Sequence, residues 1–280
     1  MNVWTFRAPV IGASLFLVGC GGEPTPSSGR MEGEVAGEKR VFGGIEMVWC
    51  PSGQFMMGSP EPWIFEVSQW LFIFGGEEGR SDLESRHGVK LTSGFWLAKT
   101  ETTQDQWEEI AGQNPSHFKG ENLPVEKVSW KEIQKWLEEI NLKYPLPEGW
   151  AWDLPTEAQW EFACRAGKSG GYEGWKLDEV GWYDVNSGNQ SHPVGEKRAN
   201  DWGLHDMHGN VWEWCRDWFE DYPPGGAVDP TGPAKGIARI HRGGGWSNAA
   251  HHCRAAYRAS DTPGTRLKNL GFRVAIVPRP

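Results

Sequence analysis

The 280-residue sequence predicts an α+β domain that is rich in loops and has few helices and short strands. Its 18 tryptophans and 37 glycines favour this class, because flat rings packed between tight turns suit such a domain better than a helical bundle. A hydrophobic content of 38% is enough for a sizeable core. The net charge of −9 argues against electrostatic attraction to nucleic acid, so we expect no nucleic-acid partner.

The N-terminus has the pattern of an export signal. Arg7 precedes an apolar stretch from Ala8 to Gly19, which is too short to span a bilayer as a mature helix. The stretch ends in Leu17-Val18-Gly19-Cys20, which resembles the bacterial lipobox, where the cysteine receives a diacylglycerol before cleavage. Residues 1–20 are therefore predicted to be a lipoprotein signal peptide, with lipidation at Cys20. The alternative is an ordinary secretory signal with a chance cysteine.

These features predict an exported bacterial envelope protein that the Cys20 lipid attaches to a membrane. Gly21 stands where an Asp would favour retention in the inner membrane, so we expect the outer membrane. Export would also permit disulfides among the four other cysteines, which are Cys50, Cys164, Cys215 and Cys253. Four cysteines allow three pairings, of which we predict one bridge, Cys215 with Cys253.

Residues 21–40 are predicted to be a flexible tether, because they are rich in Gly, Pro, Ser and Glu and contain few large apolar side chains. No low-complexity tract or repeat divides the chain beyond them. We therefore expect one domain over residues 41–280.

The first elements of this domain read as short strands. Glu46–Trp49 and Gly53–Gly58 form a strand-turn-strand pattern, and Phe95–Ala98 reads as a further strand. Between them, Trp63–Phe74 is a strongly apolar segment. It predicts either a surface for a partner or a membrane, or a helix or hairpin that packs back on the domain.

Three amphipathic helices are predicted at Thr103–Ala111, Ser129–Asn141 and Thr156–Ala166. Each begins with a Ser or Thr that can cap the helix N-terminus. In the second, Glu132 follows the capping Ser129 by three residues, which is the spacing of a capping box. The rest of the chain reads as turns around short strands.

Nine motifs follow one another in an order that identifies a family. In chain order they are Met47-Val48-Trp49 to Met57-Gly58-Ser59, Glu101-Thr102-Thr103-Gln104 with Trp107, Asn114-Pro115-Ser116, Leu123-Pro124-Val125, Val128-Ser129-Trp130, Leu154-Pro155-Thr156-Glu157-Ala158-Gln159-Trp160-Glu161, Gly203 to Trp214, Arg242-Gly243-Gly244-Gly245-Trp246, and Gly271-Phe272-Arg273. Over essentially the whole domain the sequence resembles the sulfatase-modifying-factor (formylglycine-generating enzyme) family. The resemblance implies the formylglycine-generating-enzyme fold, a variant of the C-type-lectin-like architecture with short antiparallel strands.

One segment has the composition of a calcium loop. Within eight positions it supplies two carboxylates and flexible backbone carbonyls, which are the oxygen ligands that calcium prefers. In the family this position binds a structural calcium, and the resemblance implies side-chain ligands at Asp206 and Glu213 and carbonyl ligands at Gly209 and Val211. A tight turn held by hydrogen bonds without a metal is the alternative.

The match to the family breaks at the catalytic residues. The founding enzymes oxidise a cysteine of sulfatases with two cysteines that bind copper(I), a metal that favours soft thiolates. Counting from Gly243-Gly244-Gly245 places Asn248 at the first cysteine position and Cys253 at the second. Counting back from Arg258 instead places Cys253 after the second position. Cys253 is thus a weak catalytic candidate, copper is doubtful, and enzyme activity is left undecided.

Two further groups of residues have competing interpretations. His251 and His252 beside Cys253 could form a soft metal site, or they could lie on an exposed loop with Cys253 in a disulfide. Four arginines could line an anion-binding groove, or they could brace loops through buried carboxylates such as Glu157 and Asp217. These arginines are Arg242, Arg254, Arg258 and Arg273. No Ser/His/Asp set, nucleophile elbow or phosphate loop is evident.

Three functions remain open. The sequence favours a binding or accessory module of the envelope that recognises a protein, peptide or glycan. The alternative is a metal-dependent oxidase that modifies a sulfatase cysteine, another peptide or a small molecule. A third possibility is a structural role in an envelope complex through Trp63–Phe74.

Overall fold

The computed structural model describes residues 30–61, 63–67, 70–74, 77–120, 122–172 and 174–279. Residues 32–280 form one compact unit. The predicted signal peptide and Cys20 lie outside the described residues. No helix in the described part of the chain is long and apolar enough to cross a bilayer.

Fourteen strands occur in the part of the chain that the structure describes. In chain order they are β1 (Lys39–Phe42), β2 (Ile45–Cys50), β3 (Gly53–Met57), β4 (Trp63–Val67), β5 (Trp70–Phe74), β6 (His87–Leu91), β7 (Phe95–Ala98), β8 (Trp150–Asp153), β9 (Trp212–Trp218), β10 (Ala227–Val228), β11 (Arg239–Arg242), β12 (Ala259–Asp261), β13 (Leu270–Phe272) and β14 (Ala275–Pro278). The helices are α1 (Gln104–Ala111), α2 (Trp130–Lys143), α3 (Glu157–Arg165) and the single turn α4 (Leu177–Val180).

The strands form four small sheets. Their strand orders are β1-β2-β7-β14-β8, β10-β6-β3, β12-β11-β9-β13 and β4-β5. Most neighbouring strands are antiparallel, and the β10-β6 and β13-β9 pairs are parallel. The predicted class, α+β with few helices and short antiparallel strands, is confirmed.

All three predicted helices are confirmed, together with their caps. The side chains of Thr103, Ser129 and Thr156 each accept a hydrogen bond from the backbone N–H three residues later. The side chain at that later position in turn accepts a hydrogen bond from the backbone N–H of the capping residue. Each helix thus starts with a complete capping box, which satisfies two N–H groups that would otherwise lack partners. The short α4 was not predicted, because four residues are too few to establish a helical period.

Aromatic rings fill the core, as the composition indicates. Six tryptophans with almost no exposed surface are Trp96, Trp136, Trp152, Trp160, Trp214 and Trp246. One large cluster joins the sheets to α3, and a smaller one surrounds α4 and includes Cys253.

The predicted tether is too long at its C-terminal end. The backbone N–H of Gly37 donates to the carbonyl of Trp49, and the carbonyl of Glu38 accepts from the N–H of Trp49. Arg40 lies in β1 and pairs with Met47. Residues 32–40 therefore belong to the folded unit, because main-chain pairing orders a segment whose side chains alone gave no sign of it.

The apolar segment Trp63–Phe74 has the backbone of a hairpin, in which β4 and β5 pair antiparallel as a sheet of their own. Of its two predicted forms, helix or hairpin, the hairpin is present. Its side chains lie outside the described residues.

Candidate functional site

The glycine loop after β11 leads to Asn248, the residue that counting along the chain predicts at the family's first cysteine position. Gly243 and Gly244 have φ angles of 95° and 77°, a region that L side chains rarely adopt. A Cβ on Gly244 would lie 2.6 Å from the Sγ of Cys253. The loop therefore packs directly on Cys253, and glycine is required for this approach.

Asn248 braces this loop. Its Oδ1 accepts hydrogen bonds from Nε1 of Trp212 at 2.9 Å and from Nδ2 of Asn269 at 3.3 Å. Its backbone N–H donates to the carbonyl of Gly245. The side-chain amide of Asn248 is thus held by two neighbours.

Cys253 ends a short 3₁₀ turn, Ala250–Cys253, and is fully buried. It packs against Leu177 and Val180 of α4. Burial is the largest cause of a raised thiol pKa, which lies at about 12. Near neutral pH this side chain is therefore a thiol, and a thiolate would be needed for nucleophilic attack or copper binding.

The predicted Cys215–Cys253 disulfide is wrong for this structure, in which Cys215 and Cys253 are both free and buried. Cys215 lies on β9 in the large core cluster, whereas Cys253 belongs to the smaller cluster around α4. The two thiols are held in separate parts of the core, and sequence spacing could not reveal that separation.

Neither interpretation of the group His251, His252 and Cys253 is confirmed, because the described residues form no metal site there and Cys253 is not in a disulfide. The two imidazoles are half-buried with ring centroids 3.9 Å apart, and His252 packs edge-on against Tyr257. Burial and the neighbouring His251 hold the pKa of His252 below its ordinary value. Cys253 packs with α4 instead. Within the described residues, no three His, Cys, Asp or Glu side chains are grouped so that they could hold a metal ion.

The predicted calcium loop is a turn of unusual backbone conformation. Asp206, Gly209 and Asn210 all have positive φ angles, of 58°, 116° and 60°. One oxygen of Asp206, Oδ2, accepts from the N–H of Gly195 at 2.7 Å. The other oxygen, Oδ1, is buried and has no hydrogen-bond partner.

Glu213, the second predicted carboxylate ligand, is engaged by side chains. Its Oε1 accepts from Nη2 of Arg273 at 2.7 Å and its Oε2 accepts from Nε1 of Trp160 at 2.7 Å. The Nε of Arg273 contacts both oxygens. These bonds occupy most of the acceptor capacity of Glu213.

Glu101, which the sequence did not single out as a site residue, completes the group. Its oxygens accept from Nδ2 of Asn210 at 2.7 Å and from the N–H of Val211 at 2.9 Å. Burial raises the pKa of Glu101 well above its ordinary value, and the charges of Asp206 and Glu213 raise it further. The only cue in the sequence was its place in the Glu101-Thr102-Thr103-Gln104 motif.

Three buried carboxylates, those of Glu101, Asp206 and Glu213, interact electrostatically with the guanidinium of Arg273, which is bonded to Glu213. Burial raises the pKa of Asp206 to about 6. Excess negative charge and an unpartnered buried oxygen fit a cation ligand at Asp206. Glu213 fits less well, because its oxygens are already bonded.

The other three arginines brace loops. Arg242 is paired with Glu161 through Nη2, Arg258 donates to both oxygens of Glu157 at 2.7 and 2.9 Å, and Arg254 donates to both oxygens of Glu84 at 2.8 Å. All four arginines are buried. The bracing interpretation is therefore confirmed at Glu157, and the anion-binding groove is wrong because carboxylates of the chain occupy the guanidinium groups.

Asp217 does not pair with these arginines. Its Oδ2 accepts the backbone N–H of Glu157 at 3.0 Å, at the first residue of α3. Burial and the Glu157 charge raise its pKa to about 7. The predicted brace at Asp217 is thus a contact with the main chain.

The protein has the formylglycine-generating-enzyme fold, which is of the C-type-lectin-like type. Its features here are small sheets, few helices and long loops that buried ion pairs hold in place. The Sulfatase-modifying factor enzyme 1-like domain matches residues 33–277. The chain belongs to this family.

Three proteins show how similar this chain is to other proteins. Chaperone protein LppX of Paenibacillus barcinonensis is 31% identical over 74% of this chain and 89% of its own length. The formylglycine-generating enzyme of Streptomyces coelicolor is 38% identical over 55% of this chain, which spans 52% of that enzyme. The structure of Treponema denticola variable protein 1 superposes with a TM-score of 0.69 at 28% identity, covering 87% of this chain and 99% of that one.

Proposed function

We propose that this protein is an exported, lipid-anchored accessory module that binds polypeptide segments in the cell envelope and does not make formylglycine. The observation that carries the loss of activity is the pair Asn248 and Cys253. Linear copper(I) binding needs two soft thiolates. Here one position is an amide bonded to Trp212, and the other is a buried thiol.

The binding role has two supports. One relative that matches most of the chain is named a chaperone protein, and chaperones bind polypeptides. The arginines that an enzyme could use for substrate are instead bonded within the fold, so the domain is built as a rigid scaffold.

The lipid anchor rests on Leu17-Val18-Gly19-Cys20. Labelling cells with a radioactive fatty acid should label the wild-type protein and leave a Cys20→Ala variant unlabelled. Membrane fractionation would then separate outer from inner membrane, and Gly21 favours the outer. Equal labelling of both proteins would exclude the proposed lipid site.

Incubation with a sulfatase-motif cysteine peptide, copper(I), a reductant and oxygen tests the loss of activity. We expect mass spectrometry to find the cysteine peptide unchanged, beside full conversion by the Streptomyces enzyme as a positive control. A mass loss that matches conversion of the thiol to an aldehyde would establish the alternative, a metal-dependent oxidase. That alternative is favoured by the 38% identity to a formylglycine-generating enzyme.

A structural calcium at the turn that contains Asp206 is part of the proposal. Its supports are the buried, unpartnered Oδ1 of Asp206 and the excess of carboxylates around Arg273. Carbonyls of Gly209 and Val211 would complete the ligands, with Glu213 contributing only if it releases a bond. Calcium added to chelator-treated protein should raise the melting temperature of the wild type and not of Asp206→Asn. No rise in the wild type would favour a turn held by hydrogen bonds alone.

A further inference from the structure

A cleft of about 570 Å³ lies between β3 and the loop that follows α3. Its apolar lining comes from Phe55, Met56, Pro60 and Phe162. This volume falls in the range of cavities that hold small ligands or a few side chains of a peptide. The cleft is remote in sequence from the motifs that carry Asn248 and Asp206.

The strand that borders the cleft is at the edge of its sheet. Among the described strands, β3 pairs with β6 on one side only, in the order β10-β6-β3. The strand leaves Gln54 and Met56 exposed, with 45% of Met56 accessible. Edge strands are a common docking place for extended peptides, and methionine adapts its shape to varied apolar partners.

A second, shallower groove of about 510 Å³ shares Gln54, Phe55 and Met56 with the cleft. Its floor includes Gly88, where an added Cβ would meet no atom within 4 Å. The side chain of Val228 borders it and is 63% exposed. The exposed residues of β3 thus lie between two concave surfaces, which lengthens the region that a segment of chain could cover.

Contacts within the chain join the walls of the cleft. The guanidinium of Arg165 donates to the carbonyl of Gly58 at 3.0 Å and to the carbonyl of Gly170 at 3.1 Å, so one side chain holds both the end of β3 and the loop opposite. Phe55 packs on Phe162 with centroids 5.3 Å apart. A preformed cleft binds at a lower entropic cost than one that must be ordered.

The rim of the cleft is basic, although the whole chain is acidic. Arg86 is exposed and has no carboxylate partner among the described residues, and Lys90 is exposed beside the second groove. The carboxylate that lines the cleft, Glu77, is bonded to Arg254 at 2.9 Å. Lys168 has a surface pair with Asp201, an interaction that is weak in water. Uncompensated positive charge here favours a partner with a carboxylate.

From these features we infer that the cleft beside β3 binds an extended polypeptide segment of an exported client, with apolar side chains against Phe55 and Met56 and an acidic side chain near Arg86. This inference rests on the proposed polypeptide-binding function and names its site. The edge strand, the apolar lining and the basic rim each select one property of the segment: extended backbone, apolar side chains and an acidic group.

The test uses the full-length protein in lipid nanodiscs and fluorescent peptides of about eight residues, a length that matches a typical strand. One peptide alternates Leu and Val with a central Asp, and its twin has Lys instead of Asp. Fluorescence anisotropy should show that the wild type binds the Asp peptide at least about tenfold more tightly than the Lys peptide. Arg86→Glu should reverse this preference, and Met56→Asp should weaken both peptides.

Matched controls lie on the exposed face of α2. Lys135→Glu makes the same charge change as Arg86→Glu, and Leu142→Asp makes the same polarity change as Met56→Asp at a residue that is 82% exposed. Both controls should bind as the wild type does. An Arg86→Glu variant that keeps the wild-type preference, or a Met56→Asp variant with wild-type affinity, would overturn this site.

A second assay distinguishes failure of the proposed binding site from failure of the proposed polypeptide-binding function. A client-protection assay, in which the protein keeps an unfolded polypeptide from aggregating, reports binding at any surface. If protection persists in Met56→Asp and Arg86→Glu, the site is wrong and the polypeptide-binding function stands. If the wild type neither protects a client nor binds either peptide, both proposals are wrong.

Discussion

Arg273 and Glu213 form a bidentate ion pair in the core, with Nη2 of the guanidinium 2.7 Å from Oε1 and Nε 3.0 Å from Oε2. The pair joins the Gly271-Phe272-Arg273 motif to the strand β9. Arg273 also donates to the carbonyls of Ala98 and His205, so one side chain ties four segments together. The pair therefore stabilises the whole domain.

Replacing Arg273 by Met should destabilise the protein by about 3–5 kcal/mol, because it leaves Glu213 buried without its positive partner. Urea unfolding followed by tryptophan fluorescence measures this loss. Lys143→Met is the control, since it breaks an exposed pair with Glu109 at 3.0 Å and should cost no more than about 1 kcal/mol. Equal costs for the two variants would contradict the role of the buried pair.

Gly209→Ala should prevent stable folding. An added Cβ would lie 2.2 Å from the carbonyl oxygen of Trp182, and the φ angle of 116° is unfavourable for any L side chain. Gly188→Ala is the matched control, because Gly188 also has a positive φ, of 63°, but no atom lies near its Cβ. The control should cost about 1–2 kcal/mol. Thermal unfolding of both variants checks the prediction, and a stable Gly209→Ala protein would refute it.

Asp217 should make the protein less stable as the pH rises. Its folded-state pKa of about 7 lies above the value near 3.9 that is typical of an unfolded chain. The folded state thus holds the proton more tightly, and the stability that this provides is complete below about pH 4 and is lost as the pH rises through 7. The free energy of unfolding should therefore fall between pH 5 and pH 8.

Asp217→Asn should reduce this fall, because the amide oxygen still accepts the N–H of Glu157 but carries no charge. Urea unfolding at both pH values measures the difference. The exposed Asp221→Asn serves as the control and should keep the wild-type pH dependence. An identical fall in wild type and Asp217→Asn would show that other groups cause it.

The four cysteines of the domain should be unreactive until the protein unfolds, since each is buried. Ellman's reagent should detect none of these thiols in the native state and all four in denaturant without a reductant. A lipidated Cys20 would add no thiol, whereas an unmodified Cys20 would add a fifth. Fewer than four thiols in denaturant would reveal a disulfide.

The sequence was sufficient for the three longer helices, for some of the strands and for the family. The caps at Thr103, Ser129 and Thr156 are visible because a capping box involves residues only three positions apart. The strands β2 and β7 were visible because their apolar runs end at turn residues. The family was visible because its motifs keep their order along the chain, and the fold followed from the family.

The candidate site was only partly predictable. The sequence predicted Asn248 at the family's first cysteine position, but it did not reveal that Trp212 and Asn269 hold its amide. It singled out Asp206 and Glu213, but not Glu101, which lies more than a hundred residues earlier in the chain. It also paired Cys215 with Cys253, which the structure keeps apart.

The sequence by itself determined the family and the starts of the three longer helices, because each depends on residue identity or short spacing. The tertiary structure decided which arginine meets which carboxylate, where the thiols lie and which strand remains at an edge. Those outcomes depend on contacts between distant segments, and the low-dielectric core that makes such contacts strong exists only after the chain has folded.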